Sequence, residues 1–132
     1  MLQEFLEWSA SLNDAVFYHW HHYERTHLKK MTEHFNISSA QAAPVMDHLV
    51  DLHPITTKAF AFPAYGEGLK EIAKSLGFNW RHGDVDALTS IALYFQYLDS
   101  NGTNQEARQK ILDYNEDDCL ATMHIFDWLL SQ

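Results

Sequence analysis

A helix-rich α/β fold with a small parallel sheet of about two strands is the class this chain predicts, and three observations carry it. Two short runs, Ala15-Val-Phe-Tyr-His-Trp20 and Leu49-Val-Asp-Leu52, are rich in β-branched, aromatic and aliphatic residues. Stretches of helical spacing lie between and after them, and strands joined by helical crossovers favour parallel pairing. Near the C-terminus, Ile111, Tyr114, Ala121, Ile125, Trp128 and Leu129 recur at three- and four-residue steps, the mark of a long helix with one inward stripe.

The elements follow in order. Residues 2 to about 12 predict a helix with Leu2, Phe5, Leu6, Ser9 and Leu12 on one face. Asn13-Asp14 is a turn signal before the first strand. A helix from about 22 to 35 should turn Tyr23, Leu28, Met31 and Phe35 inward. Ser38-Ser39 can cap a short helix ending near His48. The second strand is expected to stop at Pro54, and Ile55 to Gly66 reads as a surface loop. Leu69 to Leu76 is helical, with Gly77 placed to end it. Asp84 or Asp86 can cap a helix running to about Leu98, which Ser100-Asn101-Gly102 ends. The last helix spans about Gln105 to Leu130.

Composition bounds what the chain can be. Its 132 residues are 46% hydrophobic and 14% aromatic, enough for one globular domain, residues 1–132, with a core of its own. No apolar run approaches the roughly 18 residues of a membrane-spanning helix. The N-terminus carries acids where a secretory signal needs basic residues. A single cysteine, Cys119, excludes an internal disulfide, fits a reducing cytoplasm, and is expected to be a small core residue. The net charge of -9 has the wrong sign for a module held to nucleic acid by a basic surface, yet suits an enzyme whose acids gather cations.

Three constellations could carry chemistry. In Tyr114-Asn-Glu-Asp-Asp118, Asp118 falls on the inward stripe one turn after Tyr114. An inward carboxylate is costly to desolvate and normally has a partner, and a phenol four residues away can act on the same bound object. Asp113, Glu116 and Asp117 read instead as a solvated acidic face. Glu24 begins the helix after the first strand, where the helix dipole alone accounts for many acids. The imidazoles His19, His21, His22 and His27 invite a transition-metal reading, but no HExxH pattern fixes two of them one turn apart on a helix.

The segments VFYHWHHYERTHLKK, LVDLHP, GLKEIAKSLGFNWR and ILDYNEDDCLATMHIFDWL together resemble one family over nearly the whole chain. It is the ribonuclease H-like, 3′–5′ exonuclease domain of the YprB type, found also at the C-terminus of RecB-like nucleases and placed in the DEDD group. The resemblance implies two-metal hydrolysis of DNA or RNA phosphodiesters, with Mg²⁺ or Mn²⁺ held by four acids. Residue by residue, it implies that Glu24 is the acid of the second motif and Asp118 the acid of the third. Tyr114 would position or help activate the attacking water, and His19 and Tyr23 would frame the second motif.

The chain departs from the group in two places. Glu24 stands where Asp is usual, and no Asp-x-Glu triplet for the first motif occurs anywhere. By resemblance the chain therefore starts at the helix that follows the first three strands, and weak or no activity is expected of it alone. The alternative reading is a non-catalytic helical interaction module derived from that fold. In either case an uncovered sheet edge would favour a homodimer.

Overall fold

The two strand-like runs pair as the sequence predicts, and helices occupy most of the remainder. The computed structural model describes residues 1–132, which form two compact units, Met1–Ala61 and Phe62–Gln132. In the first unit the order is α1 (Leu2–Ser11), β1 (Phe17–His19), α2 (Tyr23–His34), α3 (Ser39–Met46), β2 (Leu49–Asp51) and α4 (Leu52–Ala59). In the second it is α5 (Leu69–Ser75), α6 (Ala87–Asp99) and α7 (Gln105–Leu130).

β1 and β2 are parallel, with Phe17 opposite Leu49, Tyr18 opposite Val50 and His19 opposite Asp51. Their carboxyl ends thus bring His19 and Asp51 side by side. α1 packs on α3, with Leu6, Ala42 and Val45 buried. Ser38 caps α3 with a full capping box: its hydroxyl accepts from the Gln41 N–H at 3.3 Å, and the Gln41 side chain accepts from the Ser38 N–H at 3.1 Å.

α4 corrects an expectation. Pro54 does not open a loop; it stands third in a helix that runs on through Ile55 to Ala59. A proline in the first turn lacks only an N–H that would have no helical partner. Asp51 starts this helix, its Oδ1 accepting from the His53 N–H at 3.0 Å. Irregular chain follows only from Phe60.

α2 corrects another. Tyr23 is 64% exposed, Phe35 and Met31 are exposed too, Leu28 is half-buried, and the buried residue of this helix is Thr32. The Tyr23 ring leans on His27 one turn later, 4.0 Å between centroids, so its packing is local to the helix surface. Phe35, just past the helix end, rests on His34 in the same way, at 4.8 Å.

In the second unit α7 packs against both α5 and α6. Asp86 caps α6 by accepting from the Thr89 N–H at 2.8 Å, which settles the choice between Asp84 and Asp86. Gly77, at φ +91°, follows the end of α5 in the left-handed region that glycine adopts at least cost. Along α7, Ala107, Asp117, Ala121 and Ile125 are buried. Cys119 is exposed, against expectation, because it lies about 100° around the helix from Asp118. Asp117 is the opposite correction. It precedes Ala121 and Ile125 at four-residue steps, so it shares their inward line and is buried at 3% exposure.

Candidate active site

Of the five residues nominated from sequence, Tyr114 and Asp118 stand on α7 in the second unit. His19, Tyr23 and Glu24 stand on β1 and α2 in the first. Asp118 is half-buried, and its side-chain hydrogen bond comes from the indole Nε1–H of Trp80, at 2.8 Å to Oδ1. Burial pushes its carboxyl above the ordinary carboxylate value, against the opposing pull of the Trp80 hydrogen bond and the Lys70 charge. The Tyr114 phenol is likewise raised, first by burial and then by the charges of Asp118 and Asp86, so it stays protonated at neutral pH.

Lys70 completes this corner. Its ammonium donates to the Val85 carbonyl at 2.7 Å and stands 5.5 Å from the ring centroids of both Trp80 and Tyr114. A cation over two aromatic faces is held by their quadrupoles as well as by the hydrogen bond. The corner therefore combines a carboxylate, a phenol, an indole donor and a cation.

Behind it lies a run of ion pairs. Three consecutive residues after α5 each grip a different acid of α7. Trp80 takes Asp118. Arg81 takes Asp117 twice, through its backbone N–H to Oδ2 and its Nε–H to Oδ1, both at 2.8 Å. His82 takes Asp113, Nε2 to Oδ2 at 2.8 Å. The Arg81 guanidinium also donates to Glu116 at 2.6 Å and to the Asp113 carbonyl at 3.1 Å. These carboxylates raise the Arg81 pKa further above its already high value. The expected solvated face of Asp113, Glu116 and Asp117 is instead a paired network, because its cation arrives from a loop more than 30 residues away in sequence.

The first unit holds its acid differently. Glu24 opens α2, its side chain 51% exposed, with His19 Nδ1 3.6 Å from its carboxylate. His19 is buried; its Nδ1–H donates to the His21 carbonyl at 2.6 Å, and its Nε2 is buried without a partner. His21 sits at φ +66°, a strained position for a non-glycine residue. Its N–H donates to Asp51 Oδ1 at 2.8 Å, so Asp51 and His19 together hold the turn that leads to Glu24. Tyr23, next to Glu24, is exposed with its ring against His27.

The rings of His21, His22 and His53 cluster at 4.2 and 4.7 Å between centroids. No group of three or more His, Cys, Asp or Glu side chains converges closely enough to hold a metal ion, here or at Asp118. Trp80, Lys70, Arg81 and Asp51 carried no functional signal in sequence.

The family model RNase_H_2, described as RNase_H superfamily, matches residues 1–130. No curated protein and no solved structure matches the chain significantly. No helix is long and apolar enough to cross a membrane.

Proposed function

The chain belongs to the ribonuclease H superfamily, and from that premise we propose that it is a 3′–5′ exonuclease-type domain of the YprB kind, acting on the phosphodiesters of DNA or RNA. The observation that carries this reading is the corner around Asp118. An inward carboxylate is kept where burial opposes its ionisation, with a protonated phenol one turn away and a lysine ammonium beside both aromatic rings. Such a corner suits a phosphate group and a water. Lys70 would meet a phosphate oxygen. Tyr114 would donate a hydrogen bond that orients the water. Asp118, a stronger proton acceptor than an exposed aspartate, would receive one of its protons.

The superfamily generally uses divalent metals, and oxygen ligands would select Mg²⁺ or Mn²⁺. Asp118 and Glu24 are each the right type of donor for such an ion. Two carboxylates do not fit a two-ion site, and no cluster of three possible ligands exists. An Asp-x-Glu pair is absent from the sequence. The reading therefore assigns these 132 residues weak, Mn²⁺-stimulated turnover at most.

The test joins binding to digestion. A 3′-labelled single strand, DNA or RNA, is titrated with the chain by fluorescence anisotropy and incubated with Mg²⁺ or Mn²⁺. Binding with slow loss of the 3′ label, abolished by Asp118→Asn, is the expected result. Neither binding nor digestion, or digestion indifferent to Asp118→Asn, overturns the reading.

A second reading, the interaction module without chemistry, draws on α6. That helix buries none of its residues and exposes Leu88, Ile91, Phe95 and Leu98 at coiled-coil spacing. It predicts strand binding, if any, that is unchanged by Asp118→Asn.

A further inference from the structure

We infer that Arg81 is a positioning residue for Asp118, acting through Trp80; its consequence for catalysis rests on the nuclease reading, its geometry does not. The argument starts from which atoms Asp117 holds. One of its oxygens takes the Arg81 side chain and the other takes the Arg81 backbone N–H, each at 2.8 Å. A side-chain pair alone would tether a flexible arm. The Nε–H bond to Oδ1 turns the Asp117 carboxylate so that its Oδ2 meets the backbone N–H, and the two bonds together fix the peptide that joins Trp80 to Arg81, and so where the Trp80 side chain leaves the chain.

Asp117 is buried while Arg81 is partly exposed, so the fixed end is the acid on α7 and the loop is what it holds. From that anchored peptide the indole reaches one residue further along the same helix and donates to Asp118 Oδ1 at 2.8 Å. Phe78 meets the indole edge-on, 4.9 Å between centroids, and Lys70 covers its face. The indole has little freedom of its own. Neighbouring acids on one helix thus do different work: Asp117 holds the loop, and the loop holds Asp118.

For Asp118 the consequence is orientation. With Oδ1 committed to Trp80, the plane of its carboxylate is set and Oδ2 is the oxygen left to meet a ligand. Glu116 adds a contact on the exposed side of Arg81 and should matter little. A purely structural staple would keep the loop folded without controlling the indole bond.

The test reads the indole directly. In ¹⁵N NMR of the whole chain, the Trp80 Nε1–H, assigned with Trp80→Phe, is expected downfield and slow to exchange. Arg81→Met should move it upfield and speed its exchange about tenfold, the scale of one charge-assisted hydrogen bond. Asp117→Asn should move it in the same direction, and Glu116→Gln should leave it in place. Backbone signals around Ile125 report that α7 is intact; if Arg81→Met does not fold, Asp117→Asn decides. An indole signal unchanged in a folded Arg81→Met or Asp117→Asn variant overturns the inference. Where digestion is measurable, kcat should fall several-fold in Arg81→Met with KM unchanged, and a change in KM alone overturns the inference. Digestion indifferent to Asp118→Asn would defeat the nuclease reading while the indole response still stood.

Discussion

Two acids with the same proposed role are held in contrasting ways. Asp118 is half-buried on a long helix, bonded by an indole that, by our inference, the pair of partly exposed Arg81 with buried Asp117 keeps in place. Glu24 opens a helix at the surface, 3.6 Å from a buried histidine, and the turn before it is held by Asp51. The difference teaches that a carboxylate can be prepared by its neighbours' side chains or by the backbone that delivers it. The first kind cannot adjust its reach; the second can.

The largest expected effect tests that contrast. Asp118→Asn should reduce digestion about a hundredfold or more, the usual cost of losing a proton-accepting group. Asp118→Glu should be nearly as damaging, because another methylene moves the carboxylate off the Trp80 indole that orients it. Glu24→Asp should cost roughly tenfold or less, since an exposed side chain can reposition. Equal losses in Asp118→Glu and Glu24→Asp, measured as kcat/KM on one labelled strand, would erase the distinction.

Next in size is the support beneath each acid. Ile125 is fully buried on the inner face of α7, and Ile125→Ala should cost about 3 kcal/mol by denaturant melts. In the first unit Ser38→Ala removes a helix cap and should cost about 1 kcal/mol. A larger loss from the cap than from the core residue would contradict the packing described here.

The smallest effect is a pH dependence with opposite signs on one helix. Burial raises the Asp118 pKa above 3.8, so its stabilising contribution is present below that pH and is lost as pH rises through the native value. Hydrogen bonds from Gln109 and His82 lower the Asp113 pKa below 3.8, so its contribution is present above that pH and is lost as pH falls through the native value. At neutral pH, Asp118→Asn should therefore melt slightly above the parent chain and Asp113→Asn below it. Both differences should fade near pH 3 in thermal scans.

Much of the fold was legible because its signals are local. Helical spacing placed α7 at Gln105–Leu130, and short β-branched and aromatic runs located both strands and their parallel pairing. Ser38, Asp86 and Gly77 marked helix ends by side chains or φ values that act within a turn. α4 is not legible because a proline reads as a stop, although in a first turn it removes no helical hydrogen bond. The stripe found Asp118 but not Asp117, although steps of four to Ala121 and Ile125 point Asp117 inward as well. Trp80 and Arg81 were illegible as site residues for a different reason. Their partners lie 38 and 36 positions away, and no periodicity links a loop to the helix face it meets.

The three grips of residues 80 to 82 on α7 also carry an evolutionary constraint. Each depends on counting from Gly77, where the chain leaves α5, to the residue that must meet its acid. One inserted or deleted residue in that stretch would put every side chain out of step at once, as a frameshift does to codons. Among relatives this loop should therefore keep its length more strictly than the identity of exposed Asn79, whose side chain bonds the nearby Gly77 carbonyl at 3.4 Å.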